Sequence, residues 1–206
     1  TKSTVVDFDG TPILFTPWIC DDNYDHSMEM LRTAKADLCF GHLEIKGIEM
    51  QNGVINEHGL SKSDFKRFDR VVSGHFHKHT DDGQIFYCGA QYEMTWSDYQ
   101  DPKAFHIFDT ETRELTRISN PLTIHKKIIY DDKKKDYTNF DIQPYNNHFI
   151  KLIVLNKTNE EVFDKFLERL YNEITVHDLN IVEDYSDIKA SVREDILEMG
   201  EDTVTF

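Results

Sequence analysis

Two stretches are built on one plan: Leu38-Cys39-Phe40-Gly41-His42 and Val71-Val72-Ser73-Gly74-His75-Phe76-His77. Each is a short apolar run of strand length that reads as a buried strand, then glycine, then histidine. Side chains at the carboxyl ends of neighbouring strands project into a shared crevice, which is where α/β folds gather their ligands. Glycine before the histidine lets the chain turn sharply as the strand ends. Imidazoles from two such ends can meet at one metal ion. The continuation His75-Phe76-His77 gives two same-side ligands if extended, or reaches two neighbouring ions if the chain bends. His42, His75 and His77 are therefore the candidate ligands, and imidazole and carboxylate sites suit Mn, Fe and Zn.

A solitary Gly-His or His-x-His is more often surface than ligand. It is the repetition of the plan that favours metal. Among the ten histidines, His79 belongs to no pattern, and His106 lies in a strand between Phe105 and Phe108, where packing explains it. His26, His58, His125 and His177 read as solvent or turn positions. His148 opens an apolar strand and lacks a preceding glycine.

Outward from these stretches, Thr4–Phe8 and Thr11–Phe15 flank Asp9-Gly10, the sequence of a type I′ hairpin. Asp21-Asp22-Asn23 offers caps for a helix carrying Met28, Leu31 and Ala34 to Ala36. Ser61 to Phe68 opens with Ser-x-x-Asp and reads as a short capped helix. Residues 84–88, 104–108 and 114–118 read as strands separated by turns. Beyond Ile124 come clustered lysines, then a strand over 149–155, an amphipathic helix over 159–174 and a strand over 179–185. That helix places Val162, Phe163, Phe166, Leu167, Leu170 and Ile174 on one face. The expected fold class is α/β (α+β): a sheet domain over residues 1–124 and a small α+β domain over 125–206.

The chain has 206 residues and a net charge of −15. The acidity is uneven: residues 160–206 carry fourteen acidic and four basic residues. A strongly acidic chain is a poor sequence-blind binder of phosphate backbones over its whole surface, so nucleic-acid contact must be local or metal-mediated. Lys126, Lys127, Lys133, Lys134 and Lys135 are the candidate local contacts, with a solvated loop as the competing reading. No apolar run is long enough for a membrane span. Three scattered cysteines without a Cys-x-x-Cys pair fit reduced, buried thiols in a cytoplasmic setting. The start at Thr1 is expected to be an internal point of a longer protein.

The ordered set Phe40-Gly41-His42 and Ser73-Gly74-His75-Phe76-His77 resembles the last two metal-binding motifs of calcineurin-like metallophosphoesterases. Several further features resemble the SbcD-type DNA repair nucleases, and among them the nuclease subunits of T4-like phage recombination endonucleases. These features are Asp7-Phe8-Asp9-Gly10 with Pro17-Trp18, Tyr87-Cys88-Gly89, and Asp101-Pro102-Lys103-Ala104-Phe105. The resemblance covers most of residues 4–125 and, more loosely, the appendage. It implies the C-terminal part of a metallophosphoesterase β-sandwich flanked by helices, followed by a capping domain that helps position DNA. It implies two divalent ions, usually Mn with Mg as the alternative, His42 and His75 on one and His77 on the other. It further implies phosphodiester hydrolysis in DNA recombination and repair, an SbcC-type coiled-coil ATPase as partner, and a homodimer for the full-length protein. Ser186 to Met199, with Ile188, Val192, Ile196 and Leu197 at helical spacing, would approach the partner-binding tail.

The family's earlier motifs, Asp-x-His, Gly-Asp and Gly-Asn-His-Asp, are absent, since none of the nine glycines precedes Asp or Asn. Gly89-Ala90-Gln91 also departs from the Gly-Ser-Pro of bacterial relatives. The chain then supplies three imidazoles without the family's carboxylates, and alone should not hydrolyse phosphodiesters efficiently. A metallophosphoesterase acting on small phosphoesters or nucleotides, and a non-catalytic DNA- or partner-binding module, are the alternative functions.

Overall fold

A computed structural model describes residues 2–51 and 53–183. It is mixed α and β, and it divides between Leu122 and Thr123 into two compact units. The reading of 186–199 as a partner-binding approach lies outside the described residues.

The first unit begins with the hairpin β1 (Thr4–Phe8) and β2 (Thr11–Thr16). Its turn has positive φ at both central residues, Asp9 at 51° and Gly10 at 91°, as type I′ requires. Helix α1 (Tyr24–Thr33) then crosses to β3 (Leu38–His42). After the short strands β4 (Glu49–Gln51) and β5 (Val54–Ile55), β6 (Arg70–Gly74) leads to β7 (Thr80–Asp81) and β8 (Ile85–Tyr87). The ribbon β9 (Ala104–Phe108) and β10 (Leu115–Ser119) completes the unit. The main sheet runs β1-β2-β3-β6-β8-β7, and β2, β3, β6 and β8 are mutually parallel.

Because side chains alternate across the sheet, its cross-strand rows show why these residues form it. Leu14, Cys39, Val71 and Ile85 are registered partners. All four are buried and pack with Leu31, Phe65 and Phe68 into the core. The next row, Phe15, Phe40, Val72 and Phe86, faces the other way. Phe40 there meets Phe108 of the ribbon, ring centroids 4.9 Å apart. The following row, Thr16, Gly41, Ser73 and Tyr87, stands at the carboxyl ends, and His42 pairs with Gly74 beyond it.

The second unit is a three-stranded parallel sheet, β11 (His125–Asp131), β12 (His148–Asn156) and β13 (Val176–Val182), with α2 (Glu160–Asn172) crossing between the last two. The side chain of Asn159 caps α2 by accepting from the Val162 N–H. Phe163, Phe166 and Leu170, spaced three and four apart, pack on Ile128, Tyr130, Ile150 and Leu152.

Several expectations change. The Ser-x-x-Asp segment forms its capping box but holds only one 3-10 turn, Lys62–Phe65. The charged run after Ile124 conceals a strand: Ile128 and Tyr130 are buried on one face, while Lys126 and Lys127 sit half-buried at its start. His125, expected in solvent, is buried at its start. The last strand begins at Val176, earlier than its apolar run. Of the cysteines, Cys39 is buried, Cys88 half-buried, and Cys20 exposed, because its segment turns outward before α1.

Candidate metal centre at the strand ends

The parallel pairing of β3 and β6 places His42 opposite Gly74, so His75 follows one residue further on the neighbouring strand. The two imidazoles meet edge to face, with ring centroids 5.3 Å apart. Trp18 backs both, 4.8 Å from the His75 ring and 6.1 Å from that of His42. Asn23 fixes the Trp18 segment. Its amide donates to the Trp18 carbonyl at 3.0 Å, and its carbonyl accepts from the Cys20 N–H at 3.0 Å.

Gly41 is needed for closeness here, and Gly74 eases it. A Cβ at Gly74 would stand 3.1 Å from His42 Nδ1, and one at Gly41 only 2.6 Å from the Thr16 carbonyl oxygen. His75 itself has φ of 89°, in the left-handed region that non-glycine residues rarely adopt. Backbone strain of this kind persists where the surroundings over-determine it, commonly at functional sites. Beneath the turn, Ser73 Oγ accepts from the Leu43 N–H at 2.9 Å, and the buried Tyr87 hydroxyl donates to the Leu43 carbonyl at 2.8 Å. The chain leaving His42 is thus anchored at both its donor and its acceptor.

Burial lowers the His75 pKa, the neighbouring His42 lowers it further, and Glu44 opposes them. The charge of His77 also acts on His75 in the same direction as that of His42. A neutral imidazole is the form that ligates metal. Beside these rings lies a cavity of about 270 Å³ lined by Trp18, Ile19, Tyr24, Leu43, Glu44, Gly59 and Leu60.

His77 meets a different partner. Its Nδ1 lies 3.1 Å from both carboxylate oxygens of Asp98. Asp98 is buried, with Lys103 Nζ at 2.8 Å from Oδ1. Burial alone would raise the Asp98 pKa. Hydrogen bonds from Lys103 and from the Thr95 and Met94 N–H groups outweigh it and hold the carboxyl well below the usual carboxylate range. The motif reading overlooked Asp98, although Thr95-Trp96-Ser97-Asp98 carries the Thr-x-x-Asp spacing of a capping box, which the structure forms.

The imidazoles fit a divalent ion by the chemistry of their nitrogens and by the carboxylate holding His77 Nδ1. They do not amount to a full ligand set, because among the described residues no group of three or more His, Cys, Asp or Glu side chains is placed to hold one ion.

The candidate DNA contacts lie in the second unit. Lys126 and Lys127 are half-buried on β11. Lys133, Lys134 and Lys135 are exposed in the turn after it, between Asp131, Asp132 and Asp136. Lys134 Nζ is 3.5 Å from Asp131, and Lys135 Nζ lies 4.2 Å from the Phe140 ring centroid. The turn therefore carries as many carboxylates as ammoniums. No helix among the described residues is long and apolar enough to cross a membrane.

No protein-family model matches the chain. It is 35% identical over 196 residues, 94% of its length, to exonuclease subunit 1 of Enterobacteria phage T4. The alignment spans 54% of that relative, so the chain is similar to about half of a curated phage exonuclease subunit.

Proposed function

We propose that this chain is the C-terminal part of a metal-dependent DNA nuclease subunit of the SbcD type, acting in recombination and repair. The observation that carries this is the meeting of His42 and His75 from adjacent parallel strand ends, 5.3 Å between ring centroids. Similarity over nearly the whole chain to a protein named as an exonuclease subunit supports the same reading. His42 and His75 would hold one divalent ion and His77 a second, Mn being the expected metal and Mg the alternative. When bound, such ions lower the pKa of a water and offset charge on the scissile phosphate. The residues of this chain present imidazole lone pairs, and Trp18 walls the pair on one side. The carboxylate half of the ligand set would come from elsewhere in a longer polypeptide. An SbcC-type coiled-coil ATPase is the proposed partner and a homodimer the proposed state of that longer protein. Lys126, Lys127 and Lys133 to Lys135 are proposed phosphate contacts, which would weaken with salt irrespective of sequence.

The test is Mn-dependent degradation of linear DNA by the longer polypeptide and its His75→Ala variant. The expected loss is at least about 100-fold, equivalent to about 2.7 kcal/mol of barrier. Undiminished cleavage would remove the proposal. Rapid turnover of nitrophenyl phosphate with DNA untouched would replace it by a small-molecule phosphoesterase.

A further inference from the structure

We infer that Asp98 and Lys103 are a positioning pair that fixes the ring of His77, with Nδ1 protonated and Nε2 left free for a metal ion. This rests on the reading of His77 as a ligand. An ionised carboxylate only accepts hydrogen bonds. With both Asp98 oxygens 3.1 Å from His77 Nδ1, that nitrogen must carry the proton. In the neutral ring the lone pair then sits on Nε2, which makes no hydrogen bond among the described residues. Ligating histidines commonly have their other nitrogen held this way by a carboxylate, which sets both tautomer and ring direction.

The support behind Asp98 is unusually complete. Its Oδ2 accepts from the N–H groups of Met94 at 3.0 Å and Thr95 at 2.9 Å, and from the Thr95 hydroxyl at 3.2 Å. Its Oδ1 accepts from Lys103 Nζ. The same ammonium donates to the His77 carbonyl at 3.2 Å and to Asp101 at 2.7 Å. His77 is therefore fastened at both its ring and its backbone by one network. Asp98 and Lys103 side chains are each 3% exposed, whereas that of His77 is 37% exposed. A buried ion pair is a weak device for stability, since its desolvation cost rivals its attraction. Here it ends on a half-open imidazole, so its product is a direction for that ring rather than a tighter core.

The test uses the 206-residue chain with 15N-labelled histidine. Two-bond proton–nitrogen correlation at alkaline pH reads the tautomer of each ring. In the wild type His77 is expected as the Nδ1–H form, and the Nε2–H form there overturns the inference without any variant. In Asp98→Asn, the Nδ1–H preference should weaken while far-ultraviolet dichroism is unchanged. Affinity for Zn2+ alone, by calorimetry, should fall about 10–100-fold in that variant. If Asp98→Asn keeps both tautomer and affinity while His77→Ala loses affinity, Asp98 is only a loop brace and the inference fails. If His77→Ala leaves Zn2+ binding unchanged, it is the ligand reading that fails, and the inference with it.

Discussion

Replacing His75 by glycine should leave a more stable protein than replacing it by alanine, the reverse of the usual order. Both variants remove the ring and with it the contacts to Trp18, His42 and Phe76, so those losses cancel in the comparison. What differs is the Cβ held at φ of 89°. Alanine keeps that left-handed penalty of about 1–2 kcal/mol, and glycine does not. Against this, glycine loses about 0.5–1 kcal/mol more than alanine in chain entropy on folding. The balance favours glycine by about 0.5–1 kcal/mol. With a urea slope of about 2 kcal/mol per M, its midpoint should lie about 0.25–0.5 M above that of the alanine variant. The assay is urea unfolding followed by tryptophan fluorescence. The two tryptophans of the chain, Trp18 and Trp96, both lie in the first unit, so the signal reports on that unit. An alanine variant equal to or more stable than the glycine one would refute the view that His75 is held in a strained conformation.

Ser73→Ala should cost about 1–3 kcal/mol, because it leaves the buried Leu43 N–H without its acceptor, and the same fluorescence titration reads the loss. Phe166→Ala should cost about 3–5 kcal/mol by emptying a site ringed by Tyr130, Tyr137 and Phe140, measured as lost amide protection in β12 and α2. Burial pushes the Cys39 thiol up to about 12, from 9.0 in the unfolded chain, against the Thr16 hydrogen bond and the Arg67 charge that lower it. The folded state therefore retains a proton that the unfolded state loses, and stability should decline as pH rises from about 9 towards about 12. Cys39→Val should flatten that decline in denaturant titrations across the range. In native protein a thiol reagent should modify the exposed Cys20 ahead of Cys39.

Much of this architecture was legible from local chemistry. Asp9-Gly10 announced its turn, and the apolar spacing of Phe163, Phe166 and Leu170 announced the inward face of α2. The two Gly-His strand ends were legible because the same plan of apolar run, glycine and histidine occurs twice. The rest depends on contacts distant in sequence. Strand β11 was hidden because Lys126 and Lys127 stand side by side at its start and only Ile128 and Tyr130 supply buried apolar bulk. Asp98 lies 21 positions beyond His77, in a stretch with no period of its own, and only folding shows that its carboxylate faces that ring. The charge of Lys133 to Lys135 read as a basic run, yet Asp131, Asp132 and Asp136 flank it and Lys134 Nζ stands 3.5 Å from Asp131.

The pairing of β3 with β6 ties the spacing of His42 and His75 to the pitch of the sheet, not to any loop. Evolution could change the length of the link between β4 and β5 and leave the two imidazoles where they stand, whereas Leu43, Ile45, Ile48, Phe65 and Phe68 on either side of it belong to the core. A single residue inserted within either strand, by contrast, would turn every later side chain to the opposite face and carry one imidazole away from the other. The site is therefore tolerant of change in that link, and brittle in the two strands that lead into His42 and His75.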